Sequence, residues 1–230
     1  MNKYREAVVE ELLERHESVV QNITFSLNGM TWDLMPGVYA PHLTGGALLY
    51  PDWLQFNQET RFCEVGCGMG YLSVLVALTG CKHVLATDIS SVAVENTLRN
   101  VKRHGVQGQV EVIQSNLFNE IETGRQFDII FWNSSFVDGI AQRPESELNS
   151  AIYDYGYETH KRFLTEAFNY LAPMGKVLLG FTDLGDINKL YREAKRLNRH
   201  VSILRAAYVE TKLGGLTYQL LEITKRLKEN

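Results

Sequence analysis

Apolar residues recur at helical spacing from the first turns of the chain. Val8, Val9, Leu12, Leu13, His16, Val19 and Val20 share one face, with Glu10, Glu11, Glu14 and Arg15 between them. The pattern predicts an amphipathic N-terminal helix with His16 packed on its apolar side. Two short runs, Ile23–Leu27 and Met30–Leu34, then flank Asn28-Gly29, the pair favoured where both turn residues take positive φ. A β-hairpin is expected there. Pro36-Gly37 ends its second arm, and Val38 to Gly46 reads as a loop leading into a short helix from about Ala47 to Phe56.

From Arg61 the pattern changes to alternating strands and helices. Strands are predicted at Arg61–Val65, His83–Asp88, Gln109–Gln114, Phe127–Trp132 and Lys176–Thr182. The helices between them run over about Gly70–Thr79, Ser91–His104 and Tyr157–Leu171, the last stopped by Pro173 and Gly175. A further helix starts from Asp186 as N-cap and carries Ile187, Leu190, Tyr191, Ala194 and Leu197 along one face. Such alternation argues for a mainly parallel sheet with helices on both faces. The last two strand-like runs, Val201–Glu210 and Leu216–Thr224, are joined by a segment too short for a parallel crossover, so they must pair antiparallel.

The 230 residues are 45% hydrophobic and 22% charged, with a formal net charge of −4, the make-up of a globular chain with a full core. No apolar run approaches the roughly 18 residues needed to span a bilayer. The N-terminus, Met1-Asn2-Lys3-Tyr4-Arg5-Glu6, enters a mixed-charge helix without a signal-peptide stretch. A cytoplasmic protein with no membrane partner is expected. Lys189, Arg192, Lys195, Arg196, Arg199 and Arg205 form the best basic cluster, but Glu193 interrupts it and the whole chain is acidic. It reads as a solvated helix face, so nucleic acid is not the favoured partner. Cys63, Cys67 and Cys81 lack partners at metal-ligand spacing and read as reduced packing residues, with no metal site.

The candidate chemistry centres on Glu64-Val65-Gly66-Cys67-Gly68-Met69-Gly70. A strand, three glycines and a helix make a turn where a ligand can approach the main chain near a helix N-terminus. A dinucleotide-binding loop would place its third small residue where Tyr71 stands, and the third glycine here comes one residue early. Asp88 closes the next strand, at the spacing where a carboxylate accepts hydrogen bonds from ribose hydroxyls.

Acid, glycine loop, helix, strand and second acid in this register resemble the class I S-adenosylmethionine-dependent methyltransferase family. The resemblance implies S-adenosyl-L-methionine as cofactor. It puts Gly66, Gly68 and Gly70 against the methionine part, with Glu64 beside them, Asp88 on the ribose and Ile89 on the adenine. It also implies an antiparallel strand inserted beside the last parallel ones, in agreement with the terminal hairpin. The fold class expected is α/β: a Rossmann-like, seven-stranded, mainly parallel sheet with helices on both faces and an antiparallel final strand, preceded by an N-terminal helix and β-hairpin.

A closer resemblance covers about Val38 to Leu179. Asp88-Ile89-Ser90, Ala93-Val94, Asn96, Asn100, Ser115-Asn116-Leu117-Phe118 and Phe127 to Asn133 are similar to the release-factor glutamine methyltransferases and related small-domain N-methyltransferases. In those enzymes the third strand ends in an aspartate near the adenine amine. Asn116 stands there, and its amide oxygen is expected to accept that hydrogen bond. The relatives carry Asn-Pro-Pro-Tyr after the fourth strand, where the Asn oxygen accepts from the target nitrogen and the ring packs over the planar group. Asn133-Ser134-Ser135-Phe136 keeps the amide and the ring. Asn133 is assigned to both acceptor and cofactor, and the two serines replace loop-stiffening prolines with hydroxyls that either contact a polar substrate or cap the next turn.

A shorter class of the family opens with a Val-Tyr-x-Pro segment like Val38-Tyr39-Ala40-Pro41, which makes Tyr39 and Thr44 candidate cofactor contacts. His42 is either a proton acceptor or incidental. Residues 1–57 are read as helix, hairpin and cofactor-covering segment, and 58–230 as the cofactor domain. The insertion from Val137 to Gly156, with Asp138, Arg143, Glu145, Glu147, Tyr153, Asp154 and Tyr155, is expected to form a substrate lid over the sheet crevice. The function expected is methyl transfer to a nitrogen or oxygen of a small metabolite, with a peptide amide as the alternative acceptor. An NAD-type oxidoreductase and a non-catalytic cofactor-binding subunit are the competing classes. Oligomeric state is left open.

Overall fold

The computed structural model describes residues 3–43, 46–138, 147–211 and 214–226. Along the chain, α1 (Lys3–Glu17), β1 (Ile23–Leu27) and β2 (Met30–Leu34) precede α2 (Tyr50–Trp53). The alternating region comprises β3 (Arg61–Val65), α3 (Tyr71–Leu78), β4 (His83–Asp88), α4 (Ser91–Arg103), β5 (Val110–Gln114) and β6 (Phe127–Asn133). Then follow α5 (Glu147–Ile152), α6 (Glu158–Glu166), β7 (Leu171–Thr182), α7 (Ile187–Arg196), β8 (Arg199–Thr211) and β9 (Gly214–Lys225).

Seven strands form one sheet in the order β5-β4-β3-β6-β7-β9-β8. The pairs from β5 to β7 are parallel, and β9 runs antiparallel between β7 and β8. This is the expected fold class. Adjacent residues of the central strands enter opposite cores, as the period of two requires. Cys63, Ile130 and Leu179 pack with Leu12 of α1, Phe163 of α6 and Leu190 of α7. Phe62, Phe131 and Leu178 pack with Val74 of α3, Val101 of α4 and Trp32 of β2. Among the described residues no helix is long and apolar enough to cross a membrane.

Several boundaries differ from the expectation. α1 stops at Glu17, which leaves Val20 81% exposed instead of on the apolar face. The helix expected over 47–56 is a 3-10 turn at Gly46–Leu48 followed by the single turn of α2. The helix expected to reach Leu171 ends as a 3-10 turn at Asn169, and Leu171 already pairs with Phe127. Between Leu171 and Lys176 the ladder bulges, because Pro173 has no N–H to offer and Met174 turns left-handed at φ 66°.

The β1–β2 hairpin turns at Asn28 and Gly29, both at positive φ (50° and 70°), as that pair predicts. Two buried asparagines of α4 dock it. The Asn100 oxygen accepts from Asp33 N (2.8 Å), and its amide nitrogen donates to Asp33 O (2.9 Å) and Met69 O (2.8 Å). Asn96 accepts from Met35 N (2.8 Å) and donates to Asp33 O (2.8 Å). Outside this core Arg103 pairs with Asp33 at 2.6 Å. Asn100→Ala strands the Asp33 N–H and the Met69 carbonyl, while Asn96 still serves Asp33 O, so urea unfolding should show a loss of about 2–3 kcal/mol. A midpoint equal to wild type would mean that the hairpin is held by its apolar residues alone.

Candidate active site

A cavity of about 680 Å³ opens at the carboxyl ends of the parallel strands, within the usual range for small-molecule sites and where open α/β sheets bind ligands. Its floor is the loop from β3 to α3. Gly66, Gly68 and Gly70 all take left-handed φ (67°, 58° and 80°), a conformation that costs other residues about 1–2 kcal/mol. A methyl group on Gly70 would stand 2.7 Å from Thr97 Cγ2, and one on Gly66 would stand 3.2 Å from Trp132 Nε1. The turn is therefore tight on both sides. Tyr71, the residue at odds with a dinucleotide loop, points away to the hairpin, where its hydroxyl accepts from Asn28 Nδ2 at 2.7 Å.

The two acids of the loop sit in different surroundings. Asp88 is half-buried and lines the cavity. Its Oδ2 accepts from Gly68 N (2.9 Å) and its Oδ1 from Ser90 N (3.0 Å). These two bonds fix the carboxylate in the cavity wall. Glu64 is buried beneath the loop, where Ser73 Oγ donates to its Oε2. Burial pushes its pKa up to about 8, against the opposing pull of Ser73 and with a smaller upward push from Asp88.

The remaining candidates divide. Tyr39, Ile89, Asn116, Asn133, Ser134, Ser135 and Phe136 all line the cavity. Ile89 is 54% exposed at its rim, and Tyr39 stacks on the buried His16 at 4.7 Å. Thr44 lies outside the described residues, as do Arg143 and Glu145 of the insertion. His42 packs on Phe25 at 3.9 Å and is not part of the cavity wall, so the proton-acceptor reading finds no support in the geometry.

Two side chains are engaged differently from the expectation. Arg162 Nη1 donates to Asn116 Oδ1 at 2.8 Å. A guanidinium has no acceptor, so the Asn116 oxygen is turned to Arg162 and its amide nitrogen is the end directed elsewhere. Ser134 Oγ donates to Gly180 O at 2.8 Å, beside the bond from its own N–H to the same carbonyl (3.2 Å). Its hydroxyl proton ties the loop to β7, restoring some of the stiffness that a proline would have supplied.

Three further features shape the site. Trp132, ahead of Asn133, wedges against Gly66 and against His160 of α6 (ring centroids 4.8 Å). Asp154, also in the cavity wall, accepts from His160 Nδ1 (2.6 Å), His160 N (2.8 Å) and Thr159 N (3.0 Å). Burial acts to raise the Asp154 pKa, but these donors together hold it below the ordinary value. Last, a narrow cleft sharing walls with the main cavity lies among Tyr39, Tyr50, Asn133, Ser134, Phe136, Phe181, Thr182 and Tyr218.

Residues 31–201 match the model of the methyltransferase small domain. The chain belongs to that family. The family is one of methyltransferases, which speaks against the NAD-type alternative. The chain spans only 39% and 22% of the length of the first two curated relatives, both ribosomal protein L11 methyltransferases. A Methanocaldococcus jannaschii protein provisionally named a protein N5-glutamine methyltransferase is 28% identical over 181 residues, covering 77% of this chain and 88% of that protein. A Bacillus pumilus ribosomal protein L11 methyltransferase is 29% identical over 121 residues, and the match covers 44% of this chain and 39% of that relative. Among solved structures, the T. thermophilus 16S rRNA N2 G1207 methyltransferase, in complex with AdoMet and guanosine, shares the fold at TM-score 0.63 and 16% identity. The match covers 90% of this chain and 50% of that one.

These findings correct the expected acceptor. The named acceptors of the relatives are a ribosomal protein, a protein glutamine and an RNA. A small-metabolite acceptor with nucleic acid set aside conflicts with that pattern. The cofactor, in contrast, fits the residues: a glycine floor that side chains would fill, a fixed carboxylate at Asp88 and an apolar rim at Ile89.

The raised pKa of Glu64 has a consequence for stability. Folded Glu64 holds its proton more tightly than the unfolded chain does, so its stabilisation is lost as pH rises from the ordinary carboxylate range through about 8. The difference in thermal midpoint between ligand-free wild type and Glu64→Gln should therefore move against the wild type between pH 6 and 8.5. A difference independent of pH would place the Glu64 pKa outside that window.

Proposed function

We propose that this chain methylates a nitrogen of a polypeptide amide, a glutamine-like acceptor in a macromolecule. The observation that carries the reading is Asn133, at the end of β6, which lines the cavity beside Phe136. An amide oxygen beside an aromatic ring suits a neutral, planar nitrogen group, which can donate to the oxygen and pack on the ring. The Methanocaldococcus relative, matched over most of both chains, supports the same reading.

In this assignment Gly66, Gly68 and Gly70 bring backbone against the amino-acid part of the cofactor, with Glu64 beneath them. Asp88 takes the ribose hydroxyls, Ile89 covers the adenine, and Asn116 meets the adenine edge with its amide nitrogen instead of its oxygen. S-adenosylmethionine supplies an electrophilic methyl group on a sulfonium. The protein's part is alignment and exclusion of water. Asn133 Oδ1 accepts from the acceptor N–H and turns the nitrogen lone pair towards the methyl group, while Phe136 lies over the amide plane. Tyr39 and the segment around Tyr153 and Asp154 close the cavity.

Incubation of the chain with methyl-labelled S-adenosylmethionine and cell extract, followed by mass spectrometry, tests the acceptor. Label on glutamine of a polypeptide is expected, and label confined to RNA would overturn the reading. Asp88→Ala should weaken S-adenosylhomocysteine binding at least tenfold, whereas wild-type affinity would remove the ribose assignment. Asn133→Ala should keep that affinity within about twofold and lose about 100-fold in turnover. Full turnover would take Asn133 out of the site.

A further inference from the structure

Ser135 sits between two pinned neighbours. Ser134 holds Gly180 O of β7 through its N–H (3.2 Å) and its Oγ (2.8 Å). Phe136 donates its N–H to Ile152 O (3.1 Å), and its carbonyl accepts from Tyr157 Oη (3.0 Å). Ser135 itself is 4% exposed and lines the main cavity without bordering the narrow cleft. Among the described residues neither its N–H nor its hydroxyl donates to a protein atom. Buried donors of both kinds are nearly always paired, with the protein or with a bound molecule. The sealed side-chain atoms that have no partner are ring nitrogens of His16, His42, His104 and His160. The Ser135 hydroxyl is therefore not shut in the core, and its outlet is the cavity it lines. The related motif has a proline at this position, with neither an N–H nor a hydroxyl, so both donors are particular to this chain.

We infer that Ser135 is a specificity-determining, acceptor-binding residue: its N–H and its hydroxyl donate to the carbonyl oxygen of the acceptor amide. The inference rests on the polypeptide-amide reading above, in which Asn133 takes the N–H of the same group. A carbonyl oxygen has two lone pairs and can accept from both donors. The group would lie in the main cavity, whose volume of about 680 Å³ admits a small-molecule ligand. Drawing an amide out of water with no donor for its oxygen strands that acceptor, at a cost that Ser135 removes. A simple amine brings no oxygen and would leave both Ser135 donors shut off from water. The loop thus selects a nitrogen bonded to a carbonyl carbon, in the way that a site built to bond a polar group rejects the analogue lacking it. The ties of Ser134 to β7 and of Phe136 to Ile152 and Tyr157 hold these donors in place before the acceptor arrives.

The test uses the full chain saturated with S-adenosylhomocysteine and two probes titrated by ligand-observed NMR. One is N-acetylglutamine methylamide. The other is its side-chain thioamide, in which sulfur, a weak acceptor, replaces the oxygen while the N–H groups remain. Wild type should bind the amide more tightly than the thioamide. Ser135→Ala, which keeps the backbone N–H, should weaken the amide about fivefold and leave the thioamide unchanged. Ser135→Pro removes both donors and should bring the two probes within about twofold of each other. S-adenosylhomocysteine affinity should stay at the wild-type value in both variants. A Ser135→Ala protein that binds the amide like wild type, or that weakens both probes equally, overturns the Ser135 assignment. So does a loss of S-adenosylhomocysteine affinity with the probe ratio kept, which would give the donors to the cofactor. Each of these outcomes leaves the polypeptide-amide reading standing. Wild-type protein that binds S-adenosylhomocysteine but neither probe overturns that reading and the assignment with it.

Discussion

The site depends on one polar stripe inside the protein, the face of α4 that carries Asn96, Thr97 and Asn100. All three are fully buried, at a spacing that puts them on one side of the helix. Asn100 joins the hairpin at Asp33 to the glycine loop at Met69. Thr97 donates to Gly68 O at 2.9 Å and fills the space beside Gly70. A loop with three left-handed residues has few backbone partners of its own. Its Gly68 and Met69 carbonyls are satisfied from α4 and its Gly68 N–H from Asp88, and every one of these bonds shapes the cavity floor.

Within that floor the same residue type serves two ends. Glu64 is buried with a serine as its hydrogen-bond donor and holds its proton up to about pH 8. Asp88 is half-buried in the cavity wall and accepts from two backbone N–H donors. Burial governs the first and fixed dipoles orient the second. The far wall follows a similar logic, since Asp154 is locked by three donors from the start of α6, one of them the imidazole that packs on Trp132. Asp154, His160, Trp132 and Gly66 therefore form a continuous packed path from the insertion to the glycine loop.

The wall opposite the glycine loop is built from residues far apart in the chain. Tyr50, Asn133 and Gly180 meet over β7, and Ser134 is anchored to the Gly180 carbonyl. This arrangement stands where the related motif has prolines. A hydrogen bond from Ser134 to β7 ties the loop down where a proline ring would stiffen it.

Much of this was legible from the residues alone, because it is encoded locally. Strand and helix periods, the Asn28-Gly29 turn, the Asp186 cap, the glycine loop and the reach from Gly66 to Asp88 are all short-range consequences of backbone geometry. The insertion of β9 between β7 and β8 followed from a joint too short to cross over. Other features depended on partners that only folding brings near. Asn116 looked like an oxygen for adenine until Arg162, 46 residues on, claimed that oxygen. Ser134 had two open roles until Gly180 O met its hydroxyl, and His42 looked available until Phe25 covered it. Tyr50 gave no signal at all, since a tyrosine in a short apolar turn reads as core. The sequence alone determined the sheet, the glycine loop and the acid that closes the next strand, because those are set by spacing along one chain. Only the tertiary structure decided which end of each polar side chain faces the cavity, because a hydrogen-bonding group is oriented by whichever distant partner it meets.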